Sequence, residues 1–166
     1  MRASYLFYRL WVDIIVRMKV TNRQFDRNYE EIESLEAGIS LLGAEVKQIK
    51  AGNIKLDNAH VQQLNDGMYL INAEIPSYQY AFPHGYQPTR SRKLLLHKKE
   101  ILRLETKKQR GGNCTIAPKC IYTKGKLIKV QIVLVRGRKD IEKKVLEKKR
   151  EIVRNEKLAA KEYMKS

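Results

Sequence analysis

The stretch "KCIYTKGKLIKVQIVLV" (residues 119–135) decides the fold class, because two β-rich runs flank the turn-forming pair Lys124-Gly125. Side chains alternate between the two faces of a strand, so the second run has one face that is entirely apolar. That face carries Ile128, Val130, Ile132 and Leu134, while the other carries Leu127, Lys129, Gln131, Val133 and Val135. The apolar face must point at a core, and the stretch predicts an antiparallel hairpin.

A second hairpin and two helices are predicted before it. "AHVQQL" and "MYLINAEI" flank Asn65-Asp66-Gly67, which tolerates the positive φ angles of tight turns. "AEVKQIKAG" (44–52) has Val46 and Ile49 at helical spacing and ends at Gly52, as helices favour. Residues 94–108 predict a longer helix, whose apolar stripe holds Leu94, His97, Ile101 and Leu104.

These elements predict a mainly β fold with at least five short antiparallel strands. Short strands of this number remove their exposed edges by closing on themselves. A small, partly open OB-like barrel with flanking short helices fits the length. The connection 76–93 contains three prolines and is expected to be a long irregular loop.

The chain divides by pattern into three parts. Residues 1–17 are apolar but interrupted by Arg9 and Asp13, so we expect neither an export signal nor a membrane span. We interpret this part as a non-native or mis-started extension, with Met18 as the biological start. Residues 18–135 form the barrel domain, and residues 136–166 form a basic tail.

The charge balance indicates a polyanionic partner. Lys and Arg total 34 against 18 for Asp and Glu, giving +16. Such an excess favours nucleic acid, and less often an acidic membrane surface. The alternative is a basic protein whose charge serves only solubility.

The tail predicts a segment that depends on a partner. It holds twelve basic and six acidic residues, with few large apolar side chains near a helical stripe. We expect it to be disordered alone and helical against a polyanion. The alternative is a solvated helix that lies on the domain.

The cysteines and histidines predict no metal site, disulfide or cofactor. Cys114 and Cys120 have neither the number nor the spacing of a disulfide framework, so we expect buried, reduced thiols and a cytoplasmic protein. His60, His84 and His97 are scattered without the spacing of metal ligands.

Several segments together resemble the SsrA-binding protein family, also called small protein B, in the family's order and spacing. They are "NRQFDRNY" (22–29), "EAGISLLGAEVKQIKAG" (36–52), "TRSRKLLLHKKEI" (89–101), "IYTKGKLIKVQIVLVRGRK" (121–139) and the basic tail. The resemblance implies an OB-like barrel that binds the tRNA-like domain of transfer-messenger RNA, as a monomer. It also implies that the tail enters the vacant messenger channel of a stalled ribosome and folds there as a helix.

The resemblance implies roles for particular residues. Asn22 and Glu36 match positions of RNA contact, and a carboxylate can accept hydrogen bonds from base amino or ribose hydroxyl groups. Without the resemblance, Glu36 could equally be a surface or ion-paired residue. Leu95 matches a position that affects binding, although its chemistry favours core support. The remaining RNA-binding candidates are Arg23, Arg27, Lys47, Lys50, Arg90, Arg92, Lys93 and Lys129, most of them expected to face phosphates.

The tail matches the family in charge more than in identity. Its expected decoding-centre residues are Arg136, Gly137, Arg138, Lys139, Glu142, Lys143, Lys144 and Lys148. Ile141 replaces a side chain that stacks on a ribosomal base, and an aliphatic group cannot stack. Arg27 and Glu74 each stand where the family usually has His.

Two other functions remain open at this point. An RNA-processing enzyme would use Glu36, Glu45 or His97 as acid or base, but the sequence shows no paired carboxylates, metal cluster, phosphate loop or nucleophile-base pair beside them. A ribosomal or general translation protein that binds structured RNA is compatible with the composition.

Overall fold

Antiparallel strands form most of the structure, a computed structural model that describes residues 18–64, 67–78, 80 and 85–163. The strands are β1 (Lys19–Thr21), β2 (Tyr29–Ile39), β3 (His60–Leu64), β4 (Gly67–Ile71), β5 (Arg92–Leu95), β6 (Cys114–Lys124) and β7 (Leu127–Gly137). The helices are α1 (Phe25–Asn28), α2 (Gly43–Lys50), α3 (Lys98–Arg110) and α4 (Asp140–Tyr163).

Six of the strands close into a ring. The hydrogen-bonded order is β1-β6-β3-β4-β5-β2-β7, and β7 also pairs with β6. The pairing of β7 with β6 closes the barrel, and β1 lies outside the ring along β6. This arrangement confirms the predicted mainly β, OB-like fold.

The β6–β7 hairpin has the buried face that its sequence predicts. Ile128, Val130, Ile132 and Leu134 are all buried in the main core. Lys124 pairs with Leu127, so the turn residues are Gly125-Lys126, one position later than expected, and Gly125 has the positive φ of +60° that this tight turn requires. The other face is partly buried as well, because Val133 and Val135 pack with Phe25 of α1 and with Ala117.

Helix α2 confirms the short helix predicted over residues 44–52. Ile49 is completely buried in the main core, and Gly52 adopts a left-handed φ of +82° just after the helix end. The helix is thereby fixed on the barrel, with Lys47 and Lys50 exposed on its outer side.

The helix predicted over residues 94–108 is wrong at its start. Leu94 belongs to β5 and is buried by strand alternation, together with Arg92. Helix α3 begins only at Lys98, because the Glu100 carboxylate accepts a hydrogen bond of 2.8 Å from the backbone N–H of His97 and so caps the helix there.

The tail differs from the expectation of disorder in the free chain. Residues Asp140–Tyr163 form helix α4, which contacts α1. Arg27 Nε lies 2.8 Å from Glu147 Oε1, and Arg150 Nη2 lies 3.7 Å from Asp26 Oδ2. These ion pairs supply a contact surface that the tail's own composition lacks, so the alternative of a solvated helix on the domain describes the structure. The extension 1–17 lies outside the described residues, and both its interpretation and the division at residue 135 stay predictions.

Candidate nucleic-acid interface

One outward-facing row of side chains crosses five neighbouring strands. Leu95 of β5 is paired with Gly38 of β2, and Gly38 is paired on its other side with Lys129 of β7. Lys129 is paired with Tyr122 of β6, and Tyr122 with Lys19 of β1. Because paired residues in a sheet point to the same side, these five residues, which we call the outer row, form one continuous strip.

Glu36 joins the outer row, since it lies two residues before Gly38 on the same face of β2. Its carboxylate accepts a hydrogen bond from the Tyr122 hydroxyl and bonds of 3.1 and 3.2 Å from Lys124 Nζ, and Lys129 Nζ lies 3.8 Å away. The Tyr122 hydrogen bond and then that of Lys124 lower the pKa of Glu36, while the same bond raises the pKa of Tyr122 to about 12. At neutral pH the surface therefore presents an ionised carboxylate between a phenol and two cations.

Two recesses of different chemistry open along the outer row. The first has a volume of about 440 Å³ and is lined mainly by polar groups, from Lys19, Ser34, Glu36, Cys120, Tyr122 and Gln131. The second, of about 240 Å³, is lined by Leu95, Leu127, Val46 and their apolar neighbours, with Lys129 at its edge. A polar recess beside an apolar one can take the hydrogen-bonding edge and the flat face of a nucleotide.

The predicted candidates on this side lie close to the outer row. Lys93 is outward-facing on β5, with Nζ 6.0 Å from the ring centroid of Tyr69. Lys47 and Lys50 are exposed on α2, whose Val46 lines the apolar recess. Leu95 is 59% exposed, so the interpretation of this residue as core support is wrong; strand alternation turns it outward.

Arg92 was predicted to face phosphates, and the structure contradicts this. Its side chain is completely buried, and its Nε donates to Glu45 Oε1 at 2.9 Å. Its other nitrogens donate to the carbonyl oxygens of Ala73 at 2.6 Å and Pro88 at 2.8 Å. Arg90 is 31% exposed, but its guanidinium also binds Glu45, at 2.8 and 2.5 Å.

The buried carboxylate of Glu45 organises this cluster. Burial alone would raise its pKa, but hydrogen bonds from Arg90, the Leu42 N–H and Arg92 outweigh the burial and hold the pKa below its ordinary value. The same hydrogen bond raises the pKa of Arg90. The arginines therefore stabilise the fold by compensating a buried charge.

Asn22 is also a structural residue, contrary to its predicted RNA contact. It is only 6% exposed, and its Nδ2 donates to the carbonyl oxygens of Leu56 at 3.0 Å and Pro118 at 3.3 Å. Its Oδ1 accepts from the backbone N–H of Gln24 at 3.0 Å. With its amide and its Oδ1 engaged inside the protein, the side chain is held in place there.

Arg23, Arg27 and Glu74 are not part of the outer row. Arg23 lines a separate opening of about 320 Å³ that also contains Lys55 and Asp57. Arg27 binds Glu147 of α4, and Glu74 binds Lys55 at 3.2 Å.

The predicted tail residues form the end of β7 and the start of α4. Arg136 and Gly137 pair with β2, and Arg138 is bonded through its N–H to Asn28 O at 2.8 Å and through Nε to Tyr29 O at 3.0 Å. Glu142 accepts from the Lys139 N–H at 3.2 Å and caps α4. Lys143 lies 3.2 Å from Asp140, and the exposed positions are Ile141, Lys144 and Lys148.

Sequence reasoning missed Lys19, Tyr122, Lys124 and Gln131. The signal was present in the opening stretch, because Cys120, Tyr122 and Lys124 alternate on one face of β6 and Gln131 follows Lys129 on one face of β7. Only the neighbour relations between strands could show that these faces are continuous.

The residues considered for catalysis are not assembled. Glu36 is bonded to Tyr122, Glu45 is sealed among arginines, and His97 begins α3. Within the described ranges, no cluster of three or more His, Cys, Asp or Glu side chains could hold a metal ion. Both Cys114 and Cys120 are buried and free. No helix in the described part of the chain is long and apolar enough to cross a bilayer.

Comparison with known proteins gives consistent results. The model of the SmpB protein family matches residues 19–162. The SsrA-binding protein of Dehalococcoides mccartyi is 37% identical over 150 residues, covering 88% of this chain and 87% of the relative. That of Persephonella marina is 39% identical over 139 residues, covering 84% and 91%. A solved structure described as "tmRNA-SmpB: a journey to the center of the bacterial ribosome" superimposes with a TM-score of 0.61 at 35% identity, covering 74% of this chain and 86% of that one.

Proposed function

The chain belongs to the SmpB protein family, and from this premise we propose that it binds the tRNA-like domain of transfer-messenger RNA and delivers it to stalled ribosomes for trans-translation. It acts as a binding protein in the cytoplasm, as a monomer on the RNA, and makes or breaks no bond. It needs no metal, cofactor or membrane.

The observation that carries this proposal is the outer row in register across five strands, with Glu36 beside it. Lys19, Lys124 and Lys129 are placed to neutralise phosphates, which gives affinity without sequence preference. Glu36 accepts hydrogen bonds from a base amino group or a ribose hydroxyl, which a surface built only for phosphates would not need. Leu95 and the apolar recess contact the face of an unstacked base.

The basic tail has a separate role at the ribosome. Residues of α4 such as Lys144 and Lys148 are exposed and can face ribosomal RNA in the empty messenger channel. The ion pairs to α1 are exposed and therefore weak, of the order of 1 kcal/mol or less each, so the helix can leave the barrel when a stronger polyanion is present.

The test uses a full-length variant in which residues 140–166 are scrambled with unchanged composition. This variant keeps β7 and the Arg138 hydrogen bonds that lie before the helix. We expect affinity for the tRNA-like domain within about threefold of the parent, because charge is conserved. We expect tagging of stalled chains to be lost.

A general RNA-binding translation protein would respond differently. If the scrambled tail reduced RNA binding and ribosome activity equally, the tail would be part of one undivided RNA surface, and the rescue function would be contradicted. A tail truncated after Lys139 provides the second variant, since it removes charge as well as order.

A further inference from the structure

A second basic and aromatic surface lies on α2 and on the connection that follows β4. Lys47 Nζ lies 4.9 Å from the ring centroid of Tyr78, and the ring of Tyr80 meets that of Tyr78 edge-on at 5.6 Å. Tyr80 is 79% exposed and Lys50 is exposed on the same helix. We call Lys47, Lys50, Tyr78 and Tyr80 the tyrosine surface.

The backbone on both sides of the tyrosine surface is held against the barrel. Gln48 Nε2 donates to the carbonyl oxygen of Ser77 at 2.7 Å. The Tyr86 hydroxyl bonds to Ile75 O at 3.1 Å and to Glu45 at 3.2 Å, and the Ile75 N–H donates to Pro88 O at 3.1 Å. The two tyrosines therefore project from an anchored segment.

An exposed tyrosine with a neighbouring cation suits a nucleic acid base. Such a ring offers a flat face for stacking, which is tolerant of base identity, and lysines nearby can meet the adjoining phosphates. Tyr80 contributes nothing to the main core, so packing does not account for its position.

Helix α2 connects this surface with the outer row. Val46 lines the apolar recess together with Leu95, and the next residue, Lys47, contacts Tyr78. Neighbouring residues on one helix are separated by a rise of about 1.5 Å, so an RNA that fills the recess passes close to the tyrosine surface.

We propose that the tyrosine surface is a second contact for the same RNA, an inference that rests on the proposed function. Tyr80 stacks on an unpaired base of the transfer-messenger RNA, and Lys47 and Lys50 face its phosphates. The footprint then extends from the outer row across α2.

The test measures affinity of the full chain for the tRNA-like domain with Tyr80→Ala and Tyr80→Phe. We expect Tyr80→Ala to bind about 5-fold to 150-fold more weakly, the range of one lost stacking contact, and Tyr80→Phe to bind as the parent does, since the phenyl ring still stacks. Equal affinity of Tyr80→Ala and the parent overturns the proposal. Normal RNA affinity with loss only of ribosome association also overturns it, because the surface would then bind ribosomal RNA.

The lysines are tested through salt dependence. The double variant Lys47→Ala/Lys50→Ala should lower the slope of log affinity against log salt by about 1 to 2, whereas Lys108→Ala/Arg110→Ala, which removes two charges at the end of α3, should leave it near the parent value. Equal slopes for the two variants contradict the proposal.

Failure of this inference is distinguishable from failure of the proposed function. Leu95→Ala, on the outer row, must weaken RNA binding if the proposed function holds. Loss with Leu95→Ala but not with Tyr80→Ala refutes only the second contact, while no preference of the parent for this RNA refutes both.

Discussion

Arg92 Nε donates to Glu45 Oε1 at 2.9 Å, and neither side chain has any exposed surface. This pair joins β5 to α2, the two elements that carry Leu95, Lys93 and Lys47 on their outer sides. A positive residue in a basic RNA-binding protein thus serves the position of the binding groups.

Arg92→Ala should destabilise the protein strongly, because it leaves the buried Glu45 carboxylate without one of its cations. We expect a loss of about 3–5 kcal/mol in the free energy of unfolding, measured by urea denaturation. RNA affinity at a temperature where the variant is folded should change by less than about threefold. A tenfold loss of affinity with unchanged stability would restore the phosphate-binding role for Arg92.

Glu45 should also make stability depend on acid. Its pKa in the folded state lies below the ordinary value of 4.5, so its stabilising contribution is present above about that pH and is lost as the pH falls through the folded-state pKa. Urea midpoints measured from pH 6 to pH 3 should fall more steeply for the parent than for Glu45→Gln. Parallel curves for the two proteins would show that this carboxylate is not held ionised by the arginines.

Gly38 should be required for the shape of the outer row. A Cβ at this position would lie 3.1 Å from Leu95 Cβ, so Leu95 must shift. Because Leu95 is 59% exposed, we expect Gly38→Ala to cost less than about 1 kcal/mol of stability while weakening RNA binding severalfold.

A double-mutant cycle checks this explanation. Combined with Leu95→Ala, the Gly38→Ala change should cause little further loss of affinity, since the displaced side chain is already gone. Additive losses would mean that Gly38 acts other than through Leu95.

The sequence predicted the barrel where its pattern is local. The alternation of Ile128, Val130, Ile132 and Leu134 predicted a buried strand face, which the structure confirms. The same alternation in "RKLL" places Arg92 and Leu94 inward, but the apolar spacing of 94–108 favoured a helix and obscured it. Glu45 is 47 positions from Arg92, so their pairing depends on the fold and not on any local pattern.

The site was predictable in part for the same reason. Glu36, Leu95 and Lys129 were identified through the family resemblance, and the structure brings them together on neighbouring strands. Asn22 was misassigned because a polar residue at the end of a short strand gives no sign that backbone carbonyls will surround it.

The docking of α4 on α1 should depend on the Arg27–Glu147 ion pair. Arg27→Glu should increase amide hydrogen exchange in residues 141–158, because it places like charges together in the free chain. The charge swap Arg27→Glu/Glu147→Arg should restore protection. Identical exchange in the parent and in Arg27→Glu would indicate that the ion pair does not hold the helix.

The central claim is that the outer row with Glu36 recognises one folded RNA. Its most direct test is equilibrium binding of the full chain to the tRNA-like domain of transfer-messenger RNA and to a plain duplex of equal length, at 150 mM salt. We predict a preference of at least about tenfold for the tRNA-like domain that Glu36→Gln largely removes and that Glu105→Gln, the same change on α3, retains, because hydrogen bonds to a charged group contribute about 1.5–3 kcal/mol. Equal affinity of the parent for the two RNAs, or an unchanged preference in Glu36→Gln, would contradict the account.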